Sequence, residues 1–481
     1  MSDSRRLATS MVASWGANIV KAVVQIVMLP IMARFLGPTE MGLYALALPL
    51  VGLAMPLADA GLANSLAREK SENKAVWSTA FWMLQGIGFF LALAVIAGSH
   101  LVAYTAHQPR LPLIIAALSV IFPMLALSVI PMARVLQKGR LVAPAMIDMI
   151  SNVLGAGLGI WFAFAHFGVW AMVIQYSSVF FFRAVLYNFT EFFLPRFMFS
   201  LHGLAGHLQM GGSITGSRLA EFAGRVLENS LVSRSLGGVA LGSYGFATQA
   251  SRFLSEAVSN SLWANLYYTS LHSEAAVSAA SLLKLTRLMA LILLPTSFLA
   301  AGLAPTALPI LLGEKWVLAG WPFAILCFTA PFTVMASLTS AVLYARGMGR
   351  LPVVLSFGAT LARVGAIIIF CTFGLIAACI AIATVCVAQF LVSFIITQGK
   401  IGHSATTVFR HIFWPLAMSV AGFLAVLSLL MYKVDAFYIA VACVVFGTVY
   451  ISGQALFDRR LFFNDVGAVV TLLKRKYGRN L

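Results

Sequence analysis

Charged residues are scarce in this sequence, and acidic residues are the scarcest. Only 10% of the 481 residues are charged, against about a quarter in an ordinary soluble domain. The 15 acidic residues stand against 32 basic ones, which gives a formal net charge of +17. So few charges cannot cover the surface of a soluble protein of this length. The shortage therefore excludes a soluble globular domain.

Sequence motifs of enzymes, metal sites and disulfides are also missing. The five cysteines lie in apolar runs without CxxC spacing, and none of the eight histidines belongs to an HExxH motif. No GxxxxGK[ST] phosphate-binding loop is present. The predicted loops are too short to hold a nucleotide-sugar site. We therefore predict no enzyme, no metal site, no cofactor and no nucleotide hydrolysis within this chain.

Long apolar runs dominate what is present. Hydrophobic residues make up 61% of the chain, and the mean hydropathy is +0.94. Because a membrane span needs about 20 mainly apolar residues, the runs predict an all-α polytopic membrane protein with about fourteen transmembrane helices. The predicted helices lie near residues 10–34, 41–67, 75–104, 111–133, 141–165, 168–190, 209–233, 240–266, 281–304, part of 308–344, 351–371, 374–397, 409–432 and 436–456.

Basic residues collect on one side of these predicted spans. Most Lys and Arg, Arg183 among them, are assigned to the N-terminus, the C-terminal tail and every second loop. Cytoplasmic loops of membrane proteins carry such an excess, so we expect both termini in the cytoplasm and a multi-pass location in a bacterial inner membrane. The same topology explains the net positive charge without nucleic-acid binding. If residues 209–233 did not span, the asymmetry would largely vanish.

An internal repeat divides the chain. Residues 33–47 align without a gap with residues 233–247, at an offset of 200 and with six identities, including Gly37 with Gly237 and Gly42 with Gly242. Two shorter pairs, residues 139–141 with 349–351 and 167–171 with 373–377, follow in the same order. The repeat predicts two six-helix lobes in parallel orientation around a central cavity, where transporters of this kind hold their substrate.

The predicted domains follow from this repeat. An N-terminal lobe covers residues 1–190, and a cytoplasmic connector covers 191–208. A C-terminal lobe covers 209–400, two extra transmembrane helices lie within 401–456, and a basic cytoplasmic tail occupies 457–481. We expect the basic tail to contact anionic membrane lipids. A GxxxG pair, Gly155 and Gly159, predicts close helix packing within the N-terminal lobe.

The predicted span at residues 209–233 carries an unusual polar stripe. Arg218, Glu221, Arg225 and Glu228 fall within an arc of about 80° on one helical face. Ionisable groups inside a membrane usually face a wet cavity and mark a substrate or ion pathway. The alternating signs also allow a self-neutralised helix with local ion pairs, and the sequence leaves both interpretations open.

Other polar residues accompany this stripe. At the offset of 200, Asn18, Lys21 and Gln25 overlie Arg218, Glu221 and Arg225, so the first span has a milder stripe on the equivalent face. Arg252 and Glu256 either line a pathway or pair four residues apart. Asp59 either caps nearby backbone or takes part in a pathway. Two further ionisable residues at membrane depth are Asp148 and Arg363.

The segment at residues 34–62 carries a resemblance to a known family. It contains an Arg-x-Leu-Gly-Pro loop, an x-x-Gly-x-Tyr motif and an apolar helix with Asp59, Gly61 and Leu62 in an Asp-x-Gly-Leu order. With the Gln-Lys-Gly-Arg loop at 137–140, this pattern resembles the polysaccharide-transporter branch of the multidrug/oligosaccharidyl-lipid/polysaccharide exporter superfamily, the Wzx-type flippases. The resemblance implies translocation of an undecaprenyl-diphosphate-linked oligosaccharide from the cytoplasmic to the periplasmic leaflet, for exopolysaccharide or O-antigen synthesis.

The resemblance also implies a site and partners. Basic residues would receive the diphosphate, and Glu221 and Glu228 depart from this pattern because they leave their own span without net charge. The expected partners are the lipid-linked oligosaccharide, membrane lipids, and a polysaccharide polymerase with its chain-length regulator. The substrate-binding candidates are Lys21, Arg218, Arg225, Arg252, Arg363, Asn18 and Gln25. The candidates for coupling to protons or sodium are Asp59, Asp148, Glu221, Glu228 and Glu256.

Three alternative functions remain at this stage. A lipid II flippase shares the chemistry, and a drug or cation antiporter shares the superfamily. A membrane polysaccharide polymerase is the more remote alternative. The sequence specifies neither the sugar, nor the coupling ion, nor the oligomeric state.

Overall fold

The described part of the chain is entirely helical. The computed structural model describes residues 2–59, 74–138, 140, 142–197, 205–271, 274–401, 405–430 and 436–458, and no strand occurs in these ranges. Two short 3₁₀ helices are Glu314–Ala319 and Cys371–Phe373. The α-helices are α1 (Ser2–Asp59), α2 (Lys74–Ala106), α3 (Leu111–Ser119), α4 (Ile121–Gln137), α5 (Val142–Phe164), α6 (Val169–Thr190), α7 (Ala205–Leu271), α8 (Ala275–Leu312), α9 (Gly320–Cys327), α10 (Thr329–Ala345), α11 (Arg350–Phe370), α12 (Leu375–Ile401), α13 (Ala405–Leu430) and α14 (Ala436–Phe457).

Eleven helical stretches in these ranges are long and apolar enough to cross a membrane. Among them, α3 and α4 join into one stretch, Leu111–Gln137, and the helices from Glu314 to Ala345 join into another. The predicted all-α polytopic fold is therefore confirmed. The count of fourteen spans is consistent with these helices, although the eleven do not by themselves establish it.

The two longest helices break at equivalent glycines. Gly37 in α1 has φ 76°, and Gly237 in α7 has φ 85°. This left-handed region carries no steric penalty for glycine but strains other residues. Pro38 follows the first break, where its missing N–H costs no helical hydrogen bond. Both breaks fall between predicted spans, and they stand at the offset of 200 that relates the two copies of the repeat.

The chain forms two compact units. The first unit comprises Met1–Phe246 and Ile367–Thr372, and the second comprises Ala247–Ala366 and Phe373–Leu481. The predicted lobes, connector and tail have different boundaries and stay a prediction.

In the first unit, α5 packs extensively on α6 and also on α1. Gly155 and Gly159 allow the close approach to α6. A Cβ at Gly155 would lie 2.5 Å from Val179, and one at Gly159 would lie 2.7 Å from Gln175. The predicted packing role of this GxxxG pair is confirmed. A separate cluster of apolar side chains, with Trp77, Leu84 and Ile130 at its centre, joins α2 to α4.

One glutamate of α1 contacts the starts of two other helices in the first unit. Glu40 Oε1 accepts a hydrogen bond of 2.8 Å from Arg110, at the start of α3. Its Oε2 accepts another of 2.8 Å from the backbone N–H of Val169, the first residue of α6. A carboxylate at this position satisfies an otherwise unpaired N–H and complements the helix dipole. The beginning of the second half of α1 is thus tied to α3 and α6.

The chain beyond α6 is also fixed to the first unit. Glu191 pairs with Lys138 at 2.5 Å and with Arg134 at 3.4 Å. Further along, the Trp82 indole donates to the carbonyl of Arg196 at 3.1 Å and stacks on Phe197 with ring centroids 4.7 Å apart. The first residues of the predicted connector therefore dock on α2 and α4.

The second unit is built mainly around α8, with α10, α13 and α14 packed against it. Its core contains fully buried Leu282, Leu294 and Leu338. An embedded ion pair joins Arg287, in the first half of α8, to Asp458 just beyond α14, with 2.6 Å between Nη2 and Oδ2. Arg287 also donates to the carbonyl of His411 at 3.4 Å. This pair attaches α13 and α14 to the rest of the unit.

Candidate functional site

A cluster of ionisable and polar residues lies between α1, α5 and α6 of the first unit, within or next to the stretches that are apolar enough to cross a membrane. The Asp148 carboxylate of α5 lies between two cations. Its Oδ2 is 3.8 Å from Lys21 Nζ of α1, and its Oδ1 is 3.2 Å from Arg183 Nε of α6. The three side chains remain 23 to 32% exposed. We call Lys21, Asp148 and Arg183 the three-helix ion cluster.

Helical spacing explains how apolar helices present this cluster. Each helix contributes a second polar or aromatic residue four positions further on, one turn away on the same face. Gln25 follows Lys21, and its side chain donates to Asn152 Oδ1 at 3.3 Å. Asn152 itself follows Asp148 and donates to the Asp148 carbonyl at 2.8 Å. The Lys21–Asp148 and Gln25–Asn152 contacts therefore lie one helical turn apart between α1 and α5.

Arg183 completes the cluster from α6. Its guanidinium lies 5.7 Å from the ring centroid of Tyr187, a cation–π contact one turn further on. Nη2 lies 3.5 Å from the Met132 sulfur of α4. The side chain is thus held by an aromatic ring, a soft sulfur and one carboxylate, with no bidentate partner among the residues described.

The cluster carries an excess of positive charge. Two cations share one carboxylate, so the three residues have a formal net charge of +1. An unbalanced charge at membrane depth is costly unless water or a ligand compensates it. The partial exposure of all three side chains fits a place that an anionic group can reach. The arrangement is suited to binding a phosphate-type anion.

Sequence reasoning missed Arg183. The predicted helix 168–190 contained this residue, but its charge was counted with the cytoplasmic loop that follows. In the structure it lies within α6, seven residues before the helix ends at Thr190. Seven helical residues correspond to about 10 Å along the axis. The available signal was the i, i+4 spacing of polar residues within an apolar run, which Asp148 with Asn152 and Arg183 with Tyr187 share.

The remaining predicted site residues have different outcomes. Arg225 is half-buried with its guanidinium 4.7 Å from the Phe222 ring centroid, and Glu228 is buried. Arg363 donates to Thr360 of its own helix at 3.2 Å. Arg252 is half-buried in the second unit. The predicted residues whose side chains lie outside the described part are Asn18, Asp59, Arg218, Glu221 and Glu256.

Asn229, at the border of the predicted stripe in residues 209–233, makes a structural contact. Its side chain donates to the Ala45 carbonyl at 2.5 Å within the first unit. Nearby, Ser233 donates to the Ala106 carbonyl at 3.1 Å. This part of α7 is therefore fixed against α1 and α2 by side chain to backbone hydrogen bonds.

Among the described residues, no group of three His, Cys, Asp or Glu is arranged to hold a metal ion.

The repeat positions also meet in space at this end of the unit. A Cβ at Gly42 would lie 2.5 Å from the carbonyl oxygen of Gly238, and a Cβ at Gly242 would clash with the carbonyl of Pro38. A shift of 200 residues converts each of these two contacts into the other, because Gly42 corresponds to Gly242 and Pro38 corresponds to Gly238. A Cβ at Gly245 would lie 2.6 Å from Ala45, its equivalent. Residues 38–45 and 238–245 therefore form a close contact with local two-fold character, which we call the repeat contact.

Two solved structures share this arrangement of helices. A lipid II flippase, MurJ, in an inward closed conformation aligns over 94% of this chain and all of its own, with a TM-score of 0.74 and 11% identity. An inward-facing multidrug resistance transporter of the MATE family aligns over 81% of this chain and 96% of its own, with a TM-score of 0.58 and 16% identity. The chain thus shares its fold with these two structures.

The chain belongs to the polysaccharide biosynthesis protein family, which matches residues 31–319. It is 26% identical to the succinoglycan biosynthesis transport protein ExoT of Rhizobium meliloti (strain 1021), over 62% of this chain and 60% of the relative. It is also 26% identical to the lipopolysaccharide biosynthesis protein WzxC of Escherichia coli (strain K12), over 49% of each chain. The matches thus span about half to three fifths of these two relatives.

A third relative is the teichuronic acid biosynthesis protein TuaB of Bacillus subtilis (strain 168), 22% identical over 68% of both chains. The predicted membership of the Wzx-type branch is confirmed by these matches. The relative ExoT is named as a transport protein, which agrees with the prediction that this chain is no enzyme. The multi-pass membrane location is confirmed too, while the orientation of the termini stays a prediction.

Proposed function

We propose that this protein is a flippase that moves a polyprenyl-diphosphate-linked oligosaccharide from the cytoplasmic to the outer leaflet of the membrane, for exopolysaccharide or O-antigen assembly. Family membership supports the pathway, because the three relatives are named for three different surface polymers. These polymers differ in their sugars, so we expect the protein to recognise a part that their lipid-linked precursors have in common. The lipid-linked diphosphate is such a part.

The observation that carries this proposal is the three-helix ion cluster. Lys21 and Arg183 offer two cations on helices of one unit, and among the described residues Asp148 alone balances them. Cations of this kind compensate the charges of a diphosphate, and at a partly exposed site each pairing is of moderate strength. The lipid tail would stay in the surrounding hydrocarbon.

Alternating access is part of the same proposal. In such a mechanism the contacts that close one side of the membrane separate when that side opens. The repeat contact is a candidate for this separation, because residues 38–45 and 238–245 touch through glycines and not through interlocked side chains. The energy source belongs to the proposal as well: proton or sodium exchange at a membrane-embedded carboxylate.

A complementation experiment tests the proposal. The gene is expressed in a strain lacking its own copy, and polymer export and inner-leaflet lipid-linked repeats are measured. We expect export to be restored by the wild type and strongly reduced by Lys21→Ala and Arg183→Ala, with lipid-linked repeats accumulating on the cytoplasmic side. Lys400→Ala and Arg410→Ala are matched controls, because both residues are exposed.

Other outcomes separate the rival functions. Full export by both cluster variants at normal protein levels would contradict the assigned site. Rescue of a strain depleted of its lipid II flippase would favour a lipid II substrate, and resistance to toxic cations would favour an antiporter. Loss of polymer with lipid-linked repeats already on the outer leaflet would point to a polymerase.

A cross-link tests the mechanism separately. Ala45→Cys with Gly245→Cys, in a background where the five native cysteines are replaced, places two thiols across the repeat contact. We expect oxidation to stop export and reduction to restore it, because a closed contact prevents the cycle. Export that continues at full rate with the cross-link formed would exclude separation of this contact.

A further inference from the structure

We propose that Asp148 is a built-in competitor of the substrate headgroup: it pairs with Lys21 and Arg183 in the substrate-free protein and yields both cations to a diphosphate. This inference rests on the proposed function. It assigns Asp148 to the control of affinity, apart from any role in ion coupling.

The geometry of the pairs supports exchange. Each carboxylate oxygen serves one cation, at 3.8 Å for Lys21 and 3.2 Å for Arg183. Charge-assisted hydrogen bonds are shorter, at about 2.7–2.9 Å. The Arg287–Asp458 pair of the second unit, at 2.6 Å, shows a tight pair in this same chain. The two contacts of Asp148 are therefore attractive at a distance, without full hydrogen bonds.

Accessibility supports exchange as well. Lys21 and Asp148 are 32% and 25% exposed, whereas Arg287 and Asp458 are 4% and 8% exposed. The Asp148 Oδ1 and Arg183 Nε atoms are themselves buried and make no hydrogen bond among the described residues, so a ligand would reach the more exposed Lys21 first and Arg183 once the carboxylate turns away. The Asp148 backbone keeps its own link to Asn152, so the carboxylate can turn away while α5 stays in place.

The balance of charge favours the diphosphate. A diphosphate diester has one negative charge on each phosphate, which matches two cations, whereas the carboxylate leaves one cation uncompensated. Asp148 nevertheless stays close to the bound headgroup and repels it. The predicted consequence is a moderate affinity, and a transporter needs this because its substrate must leave on the other side.

The test measures binding and export together. The purified protein in nanodiscs is titrated with geranylgeranyl diphosphate, with geranylgeraniol as the uncharged control, and ligand-induced shifts in melting temperature are compared. Removing the competitor by Asp148→Asn keeps the shape of the side chain. We expect roughly three- to tenfold tighter binding, as expected for the loss of two partly exposed pairs, together with slower export.

Companion variants keep the test decisive. Lys21→Met and Arg183→Met should weaken binding, and Asp148→Asn should restore part of the affinity lost in Lys21→Met. If Asp148→Asn fails to fold, Asp148→Ser takes its place. Binding that is unchanged or weaker when Asp148 is neutralised would overturn the inference, because the carboxylate would then be a structural partner of the two cations.

Failure of this inference differs from failure of the proposed function. A wild type that does not bind the diphosphate lipid overturns both. Diphosphate binding that needs Lys21 and Arg183 but ignores Asp148 overturns only the inference. Inorganic diphosphate is the last arm: if it binds as tightly as the lipid and Asp148→Asn tightens it, the competitor role is supported and the lipid-linked substrate is contradicted.

Discussion

The two units hold embedded charge in different ways. In the first unit, Asp148 is shared by Lys21 and Arg183, with longer distances and partial exposure. In the second, Arg287 and Asp458 form one close pair that is almost completely buried. A buried pair cannot exchange its partner without a large cost, whereas a loose and accessible pair can. The same types of residue therefore serve architecture in one unit and are available for a ligand in the other.

Breaking the buried pair should have the largest effect. Arg287→Ala or Asp458→Ala leaves one buried charge without its partner, which typically costs about 3–5 kcal/mol. We expect a much lower melting temperature of the purified protein and poor membrane expression. The double variant Arg287→Met/Asp458→Leu is the control, because apolar replacement of both partners removes the uncompensated charge. A single variant with wild-type melting behaviour would contradict the structural role of this pair.

Adding a methyl group at a glycine contact should have the next largest effect. Gly242→Ala in the first unit places a Cβ against the backbone carbonyl of Pro38, which has little freedom to move. Overpacking of this kind costs about 1–3 kcal/mol. In Gly453→Ala of the second unit, the new Cβ meets the flexible Met418 side chain instead. We expect the melting temperature to fall clearly for Gly242→Ala and less for Gly453→Ala; equal shifts would argue against a rigid repeat contact.

Truncating Asp148 should lower the melting temperature much less than truncating Asp458. Asp148→Ala removes the carboxylate from the three-helix ion cluster, where partly exposed pairs are worth about 1 kcal/mol or less. We expect a small change in melting temperature beside the large change for Asp458→Ala. A loss of stability as large as that of Asp458→Ala would show that the cluster is structural.

The smallest effect is expected at Glu40. Glu40→Ala removes the Arg110 pair and the hydrogen bond to the Val169 N–H, with a cost of about 1 kcal/mol. Glu40→Gln keeps an oxygen for the N–H and loses the charge, so its melting temperature should lie between wild type and Glu40→Ala. Export should be retained by both variants. If Glu40→Gln is as unstable as Glu40→Ala, the ion pair and not the helix cap is the stabilising part.

Local features of the fold followed from the sequence. The breaks at Gly37 and Gly237 fall between predicted spans, because a glycine beside a helix end is a local signal. The packing of Gly155 and Gly159 on α6 also followed from spacing alone, since residues four apart share a helical face. The motifs at residues 34–62 identified the family, which the match over residues 31–319 confirms.

The candidate site was predicted only in part. Lys21 and Asp148 were both selected as ionisable residues at membrane depth, but for different roles. Their contact depends on how α1 and α5 are rotated and how deep each lies, and neighbouring helices set both. Arg183 was missed although the end of its helix was predicted correctly, because its charge was counted with the following loop and its contact with Asp148 depends on how α5 and α6 pack. The functional roles of Arg218, Glu221 and the other predicted residues stay predictions.

Composition and periodicity by themselves determined a polytopic helical membrane protein with a repeat and a scarcity of charge. These properties depend on the free energy of transferring each side chain into the membrane and on local backbone geometry. Both are set by residues that are close together in the sequence. Only the tertiary structure decided that Lys21 and Arg183, distant in sequence, share the Asp148 carboxylate. The burial of Arg287 and Asp458 was likewise decided only by the tertiary structure. Charge pairing depends on distances across helices, and those distances exist only after the helices have packed.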